Sequence, residues 1–122
     1  MQIDHYRFGH IGVAGRDYDA DLIIFPDRVQ PNWWRREGHC LDARDLASVL
    51  AEAPDLLLIG TGYFGRMRVP EPTLAALRDA GVEVRIAKTG VTVTEFNHLQ
   101  RHCARIAAAL HLRVREIITP VN

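Results

Sequence analysis

The chain has one serine, Ser48, and one lysine, Lys88. The serine lies in a stretch that reads as helix and has no GxSxG around it, which excludes the nucleophile elbow of the hydrolases. The two cysteines, Cys40 and Cys103, stand far apart and form no CxxC pair. Two reduced thiols are expected, not a disulfide framework. Neither sign of charge is in excess: lysine plus arginine and aspartate plus glutamate both total 15. That balance argues against a dedicated nucleic-acid binder, whose affinity comes largely from neutralised phosphates. No apolar run approaches the length of a bilayer span. Met1 to Tyr6 carry neither the basic nor the apolar block of a secretion signal, so a soluble, cytoplasmic protein is expected. Linkers, repeats and low-complexity segments are lacking too.

What remains is an ordinary globular balance, 48% hydrophobic and 25% charged over 122 residues. That length suits one domain with its own core. Tyr6 and Phe8, then Ile11 and Val13, alternate with other residues, and the parity flips at Gly9. Gly15-Arg16-Asp17 reads as a turn and Leu22 to Phe25 as a buried strand. Pro31 limits Val29 to Trp34 to an edge strand or loop. Asp42 is placed to cap a first helix, with Leu41 and Leu46 as its staple and Pro54 as its end. Leu56 to Ile59 reads as a central strand.

Pro70 and Pro72 open a second helix, and Gly81 with Val82 closes it against Leu77. Val82 to Ile86 is a strand. Thr89 is expected to cap a third helix through Arg101, and a last strand is expected from Ile106 to about Ile117. The order predicts a three-layer α/β domain spanning residues 1–122. A mixed central sheet is flanked by helices and preceded by an N-terminal β-meander.

The stretch with most chemical promise is Gly60-Thr61-Gly62-Tyr63-Phe64-Gly65-Arg66. It fits G-x-G-x-x-G after a strand. A dinucleotide site needs those glycines to open a helix directly, and Met67 to Pro70 intervene. Ala87-Lys88 also stands where a ribose-binding acid would be. The alternatives are a tight loop that needs positive φ, or a small anion pocket made of free N–H groups and Arg66. Gly60, Thr61, Gly62, Gly65, Arg66, Thr89 and His111 form the candidate pocket.

His98 and His102 have a metal-binding spacing but no glutamate of HExxH and no evident third ligand, so no metal is assigned. His111, Arg113 and Arg115 share a strand parity that would make a basic stripe, or the wet face of an edge strand. Trp33, Trp34, Arg35 and Arg36 form a candidate interaction surface, one ring directed inward and the other outward. Asn97, beside Phe96, is a poor mid-helix residue whose amide suits a bond to loop backbone.

Phe8-Gly9-His10-Ile11, Trp33 to His39, Ile59-Gly60-Thr61-Gly62, Thr89, Phe96 to Leu99 and Ala107 to Leu112 recur in that order in a known family. The chain resembles the Mth-type domain of unknown function over almost its whole length. That family includes an adipogenesis-associated protein and the mitochondrial complex I assembly factor three. The resemblance implies one α/β domain, a scaffold role in one branch, and no catalytic set to carry onto these positions. The expected role is a non-enzymatic interaction or assembly-factor-like module. The alternative is a protein that binds a small molecule or anion at the Gly-Thr-Gly loop. A protein of undetermined identity and a second copy of the chain are the expected partners; no nucleic acid, membrane or cofactor is expected.

Overall fold

The computed structural model describes residues 1–112. Strands β1 (Ile3–Arg7), β2 (His10–Val13) and β3 (Arg16–Tyr18) form an antiparallel meander, a sheet of its own. The turn between β2 and β3 is Ala14-Gly15, both at positive φ. Arg16 and Asp17, expected in that turn, are strand residues paired with Val13 and Gly12. At Gly9 the chain makes its hairpin turn at φ 75°. The register irregularity of this hairpin lies elsewhere, between Ile3 and His5.

The main sheet holds β4 (Leu22–Ile24), β5 (Val29–Gln30), β6 (Leu56–Gly60), β7 (Glu83–Ala87) and β8 (Ile106–Leu110), in the order β5-β4-β8-β6-β7. Strand β6 runs parallel to both β7 and β8, while β4 is antiparallel to β8. The sheet is therefore mixed. Its middle strand is β8 rather than β6, and all five residues of each are buried. A strand buried on both faces reads as a continuous apolar run, which is what Leu56 to Ile59 and Ile106 to Leu110 show.

Helix α1 (Ala47–Glu52) follows a single 3-10 turn over Ala43–Leu46. Asp42 caps that turn, and Asp45 returns a bond to the Asp42 N–H to complete a capping box. Helix α2 (Glu71–Asp79) ends at Gly81, φ 78°, with Val82 N–H donating to Leu77 O and Gly81 N–H to Arg78 O. That is the Schellman pairing the glycine invites. Helix α3 spans Thr89–Leu99.

Alternating side chains divide the core in two. On one face Ile23, Leu57, Ile59, Ala107 and Ala109 pack with Leu46, Val49 and Leu77 from the α1–α2 side. On the other, Ile24, Leu58, Ala108 and Leu110 pack with Val93 and Phe96 of α3 and with Ile3, Ile11 and Val13 of the meander. The three layers are thus α1 and α2, the five-stranded sheet, then α3 with the meander. The α/β architecture and N-terminal meander expected from the sequence are both present.

Asn97 joins two parts of the third layer. Its Oδ1 accepts from Ile3 N–H at 2.9 Å and its Nδ2 donates to Ile3 O at 2.8 Å. A side-chain amide here serves one backbone residue as a neighbouring strand would.

Candidate functional site

The Gly-Thr-Gly loop leaves β6 at the sheet edge where β7 and β8 also end. Its donors are largely committed to the fold. Thr61 N–H donates to Ala87 O at 2.9 Å, Gly62 N–H to Thr89 Oγ1 at 2.9 Å and Gly65 N–H to Gly62 O at 3.2 Å. Thr89 Oγ1 in turn donates to His111 O at 2.6 Å. Thr89 was expected to cap α3. It is instead the first helical residue, and its hydroxyl links the loop to the end of β8. A hydroxyl engaged with two backbone groups outside its own helix is not available as a cap.

The glycines have steric reasons. A Cβ on Gly60 would sit 2.8 Å from Thr89 Oγ1. One on Gly62, already at φ 105°, would sit 2.9 Å from His111 Cδ2. Only Gly tolerates such a position at low cost.

His111 has a different place from the expected wet stripe. Strand β8 lies between β4 and β6, not at an edge, and the His111 side chain is 2% exposed. Arg113 and Arg115 lie outside the described residues, as does the expected strand beyond Leu112. Next to His111 stand Asp21, which opens β4, and Arg35. Asp21 Oδ2 is 2.7 Å from His111 Nδ1 and 2.5 Å from Arg35 Nη1. Asp21 Oδ1 accepts from Leu112 N–H at 2.8 Å. Burial pushes the Asp21 carboxyl up. The His111 hydrogen bond, the Arg35 guanidinium and the Leu112 N–H outweigh that and hold it below its ordinary value.

An ionised carboxylate only accepts, so His111 Nδ1 must carry the proton it donates to Asp21. The 2.9 Å approach of Arg35 Nη2 to that nitrogen is then no hydrogen bond. Arg35 Nη2 donates to Gly38 O at 3.3 Å instead, and Arg35 Nε has no partner among the described residues. Sequence reasoning missed Asp21 and placed Arg35 on the surface. A parity signal was available: Trp33 and Arg35 alternate on one side of the chain, so an inward Trp33 takes Arg35 with it.

Trp33 is 5% exposed, and its Nε1 donates to Asp45 O at 2.8 Å. Its backbone N–H donates to Asp21 O at 2.7 Å, and the Arg35 guanidinium lies 4.8 Å from its ring centroid. Asn32, at φ 52°, turns the chain just before it; asparagine tolerates that left-handed geometry better than most residues. Trp34, on the opposite parity, is 68% exposed. Together with Asn32, Arg36, Arg44 and Ser48 it borders an open depression of about 420 Å³. Arg36 N–H donates to Asp45 Oδ1 at 3.2 Å. The hydrogen bonds from Arg44 hold the exposed Asp42 carboxyl at about 2.

A second exposed apolar surface went unnoticed in the sequence. Phe8 at the meander hairpin meets Tyr63 edge-on with centroids 5.3 Å apart, and Tyr63 meets Phe64 at 5.0 Å. All three rings are exposed. Arg66 lies 5.3 Å from the Phe64 ring centroid, and the Lys88 stem packs on Gly65. Under them, Tyr6 is 6.5 Å from Tyr63; burial, then the nearby Tyr63 hydroxyl, pushes its phenol up to about 12.

The His98 and His102 rings stand 5.6 Å apart, and no group of three or more metal-binding side chains exists among the described residues. Cys40 and Cys103 are free thiols, both half-buried. Among the described residues no helix is long and apolar enough to cross a membrane.

The family model described as "Protein of unknown function (DUF498/DUF598)" matches residues 3–111. The chain is similar to the conserved hypothetical protein PH1505 from Pyrococcus horikoshii OT3, at 28% identity and a TM-score of 0.78 over 93% of this chain and 99% of that one. The Rpa2829 protein from Rhodopseudomonas palustris is also 28% identical, with a TM-score of 0.74 over 98% of this chain and 88% of its own. A Mth938-like domain from Bordetella pertussis shares the fold at 21% identity and a TM-score of 0.66, over 91% of this chain and 85% of that one. This last likeness agrees with the Mth-type resemblance carried by the sequence motifs.

Proposed function

The chain belongs to the DUF498/DUF598 family of proteins of unknown function, and we propose that it is a non-enzymatic docking module that holds a protein partner at the Trp34 surface. One observation carries this reading. Trp34 is 68% exposed between two neighbours that are anchored inward, Trp33 in the core and Arg35 on Asp21. An exposed tryptophan on a fixed backbone loses little conformational freedom when covered, which favours binding. Tryptophan and arginine are also the residue types that dominate interface energies, and Arg36 and Arg44 flank the same depression. A module that holds a partner without transforming it is consistent with the assembly-factor branch of the resemblance.

Affinity purification from the native cell tests this, with the wild-type chain, Trp34→Ala and Arg36→Glu as baits. The expected result is a defined partner recovered by the wild type and lost with either variant, while the melting temperatures stay level. Equal recovery by all three baits, or recovery of nothing but the chain itself, overturns the reading.

A further inference from the structure

The zero net charge of the whole chain conceals a local surplus of cations. The exposed rings come from two segments, 6–13 around the meander hairpin and 60–70 in the loop after β6, and a third, 87–94 at the start of α3, packs against both. Together these hold Arg7, Arg66, Arg68 and Lys88 and not one aspartate or glutamate. None of the four cations has a carboxylate within salt-bridge reach among the described residues; elsewhere Arg16, Arg36 and Arg101 are likewise unpaired, whereas Arg28, Arg35, Arg44, Arg78, Arg85 and Arg105 are paired. The apolar side of the pattern is equally concentrated. Among the described residues, apart from Trp34 and Ile86, the large exposed hydrophobics are Phe8, Tyr63, Phe64 and Val91, all from these three segments. Tyr6 ties the segments together, its ring lying against Tyr63 and 3.5 Å from a Cβ built on Gly90.

We infer that this face docks on an anionic lipid bilayer: Phe8, Tyr63 and Phe64 enter the headgroup boundary while Arg7, Arg66 and Lys88 meet the lipid phosphates. Aromatic rings favour that depth, and cations beside them are drawn to the negative surface. A protein interface normally mixes both signs around its rim, whereas a field of one sign suits a polyanionic surface. Single-stranded nucleic acid needs ring faces laid open for successive bases. Here Tyr63 stands 88° to Phe8 and 71° to Phe64, and Arg66 lies by the Phe64 ring. The sequence-based expectation of no membrane partner rested on the lack of a spanning segment, and surface attachment needs none. The face shares no residue with the Trp34 depression, so variants can test each surface by itself.

Co-sedimentation of the full chain with vesicles tests the inference. The two probes are phosphatidylcholine containing phosphatidylglycerol and phosphatidylcholine alone. Binding is expected only with the anionic lipid. It should weaken at least about thirtyfold on Arg66→Glu combined with Lys88→Glu, and about tenfold on Phe64→Ala. It should also fall as salt rises from about 0.1 M to about 1 M, where the screening length drops from about 10 Å to about 3 Å. Arg101→Glu reverses one cation beyond the opposite end of α3 and should sediment as the wild type. Thermal melts of each variant separate lost binding from lost folding; for any variant that melts early, Arg66→Gln and Lys88→Gln replace the reversals. No binding to either lipid, equal binding to both, binding that ignores Phe64 and Lys88, or capture by oligothymidine in place of vesicles each overturns it.

Discussion

Asp21 and His111, 90 positions apart in the chain, are joined by a hydrogen bond of 2.7 Å between Oδ2 and Nδ1. Arg35 Nη1 shares the same oxygen, and the Arg35 side chain is 5% exposed. Breaking a buried pair by removing one partner is far costlier than the pair is worth, because a charge is left behind. Asp21→Asn should therefore lower the unfolding free energy by about 3–5 kcal/mol. Urea denaturation of wild type and variant measures it; a loss below about 1 kcal/mol would show that Arg35 and His111 are satisfied without the carboxylate.

The same carboxyl sets an acid limit. Its folded-state value lies below the ordinary 3.8, so the unfolded chain takes up the proton first. The associated stability is complete above the ordinary value and is lost as pH falls below it, through the folded value. Unfolding free energy should thus hold level from neutrality down to the ordinary carboxylate range and then decline. In Asp21→Asn that acid limb should be shallower, leaving the smaller contribution of Asp42, which is partly exposed and screened by solvent.

Gly62→Ala tests the loop. Both it and Gly15→Ala impose a Cβ at positive φ, but Gly15 faces open space while Gly62 faces His111. The backbone term alone costs about 1–2 kcal/mol at either site. Gly62→Ala should cost at least about 2 kcal/mol more, because moving His111 disturbs its bond to Asp21. Equal losses in the two variants would show that His111 yields freely.

Tyr6 should titrate late. Its phenol is pushed up to about 12 from an ordinary 10.0, and its hydroxyl is sealed with no partner among the described residues. Absorbance titration of the three tyrosines should show one delayed transition, absent in Tyr6→Phe. The stability tied to this group is complete below 10.0 and lost as pH rises toward 12. Near neutral pH, Tyr6→Phe removes an unpaired buried hydroxyl and should be neutral or raise stability by about 1 kcal/mol. A marked loss would reveal a partner for that oxygen.

Features decided within a few residues could be read from the sequence. The Asp42 cap, the Leu41–Leu46 staple and the Gly81–Val82–Leu77 closure depend on backbone geometry that neighbouring residues dictate. So did the buried character of β6. What escaped reading depends on which strands meet. The last strand looked like an edge because His111, Arg113 and Arg115 share one parity, and nothing local says that β4 and β6 lie on either side of Ile106 to Leu110. Asp21 sits in the acid-rich stretch Asp17 to Asp21 and looks solvent-facing, and its partners arrive only from Arg35 and from beyond β8. Phe8 and Tyr63 are remote in sequence, so their shared patch with Phe64 required the fold. The loop at Gly62 stood out in the sequence, yet most of its donors hold the architecture together and its aromatic tip remains outside.

The double bond between Asn97 and Ile3 constrains the order in which the protein can be completed. A ribosome delivers Ile3 more than ninety residues before Asn97. β4 likewise waits for β8 before it has a neighbour other than the two-residue β5. The meander can bend into shape early, but it has no layer to settle on until α3 emerges. The apolar side of the first strands therefore lacks its native neighbours until α3 and β8 have emerged, an interval in which exposed apolar surface favours misassembly.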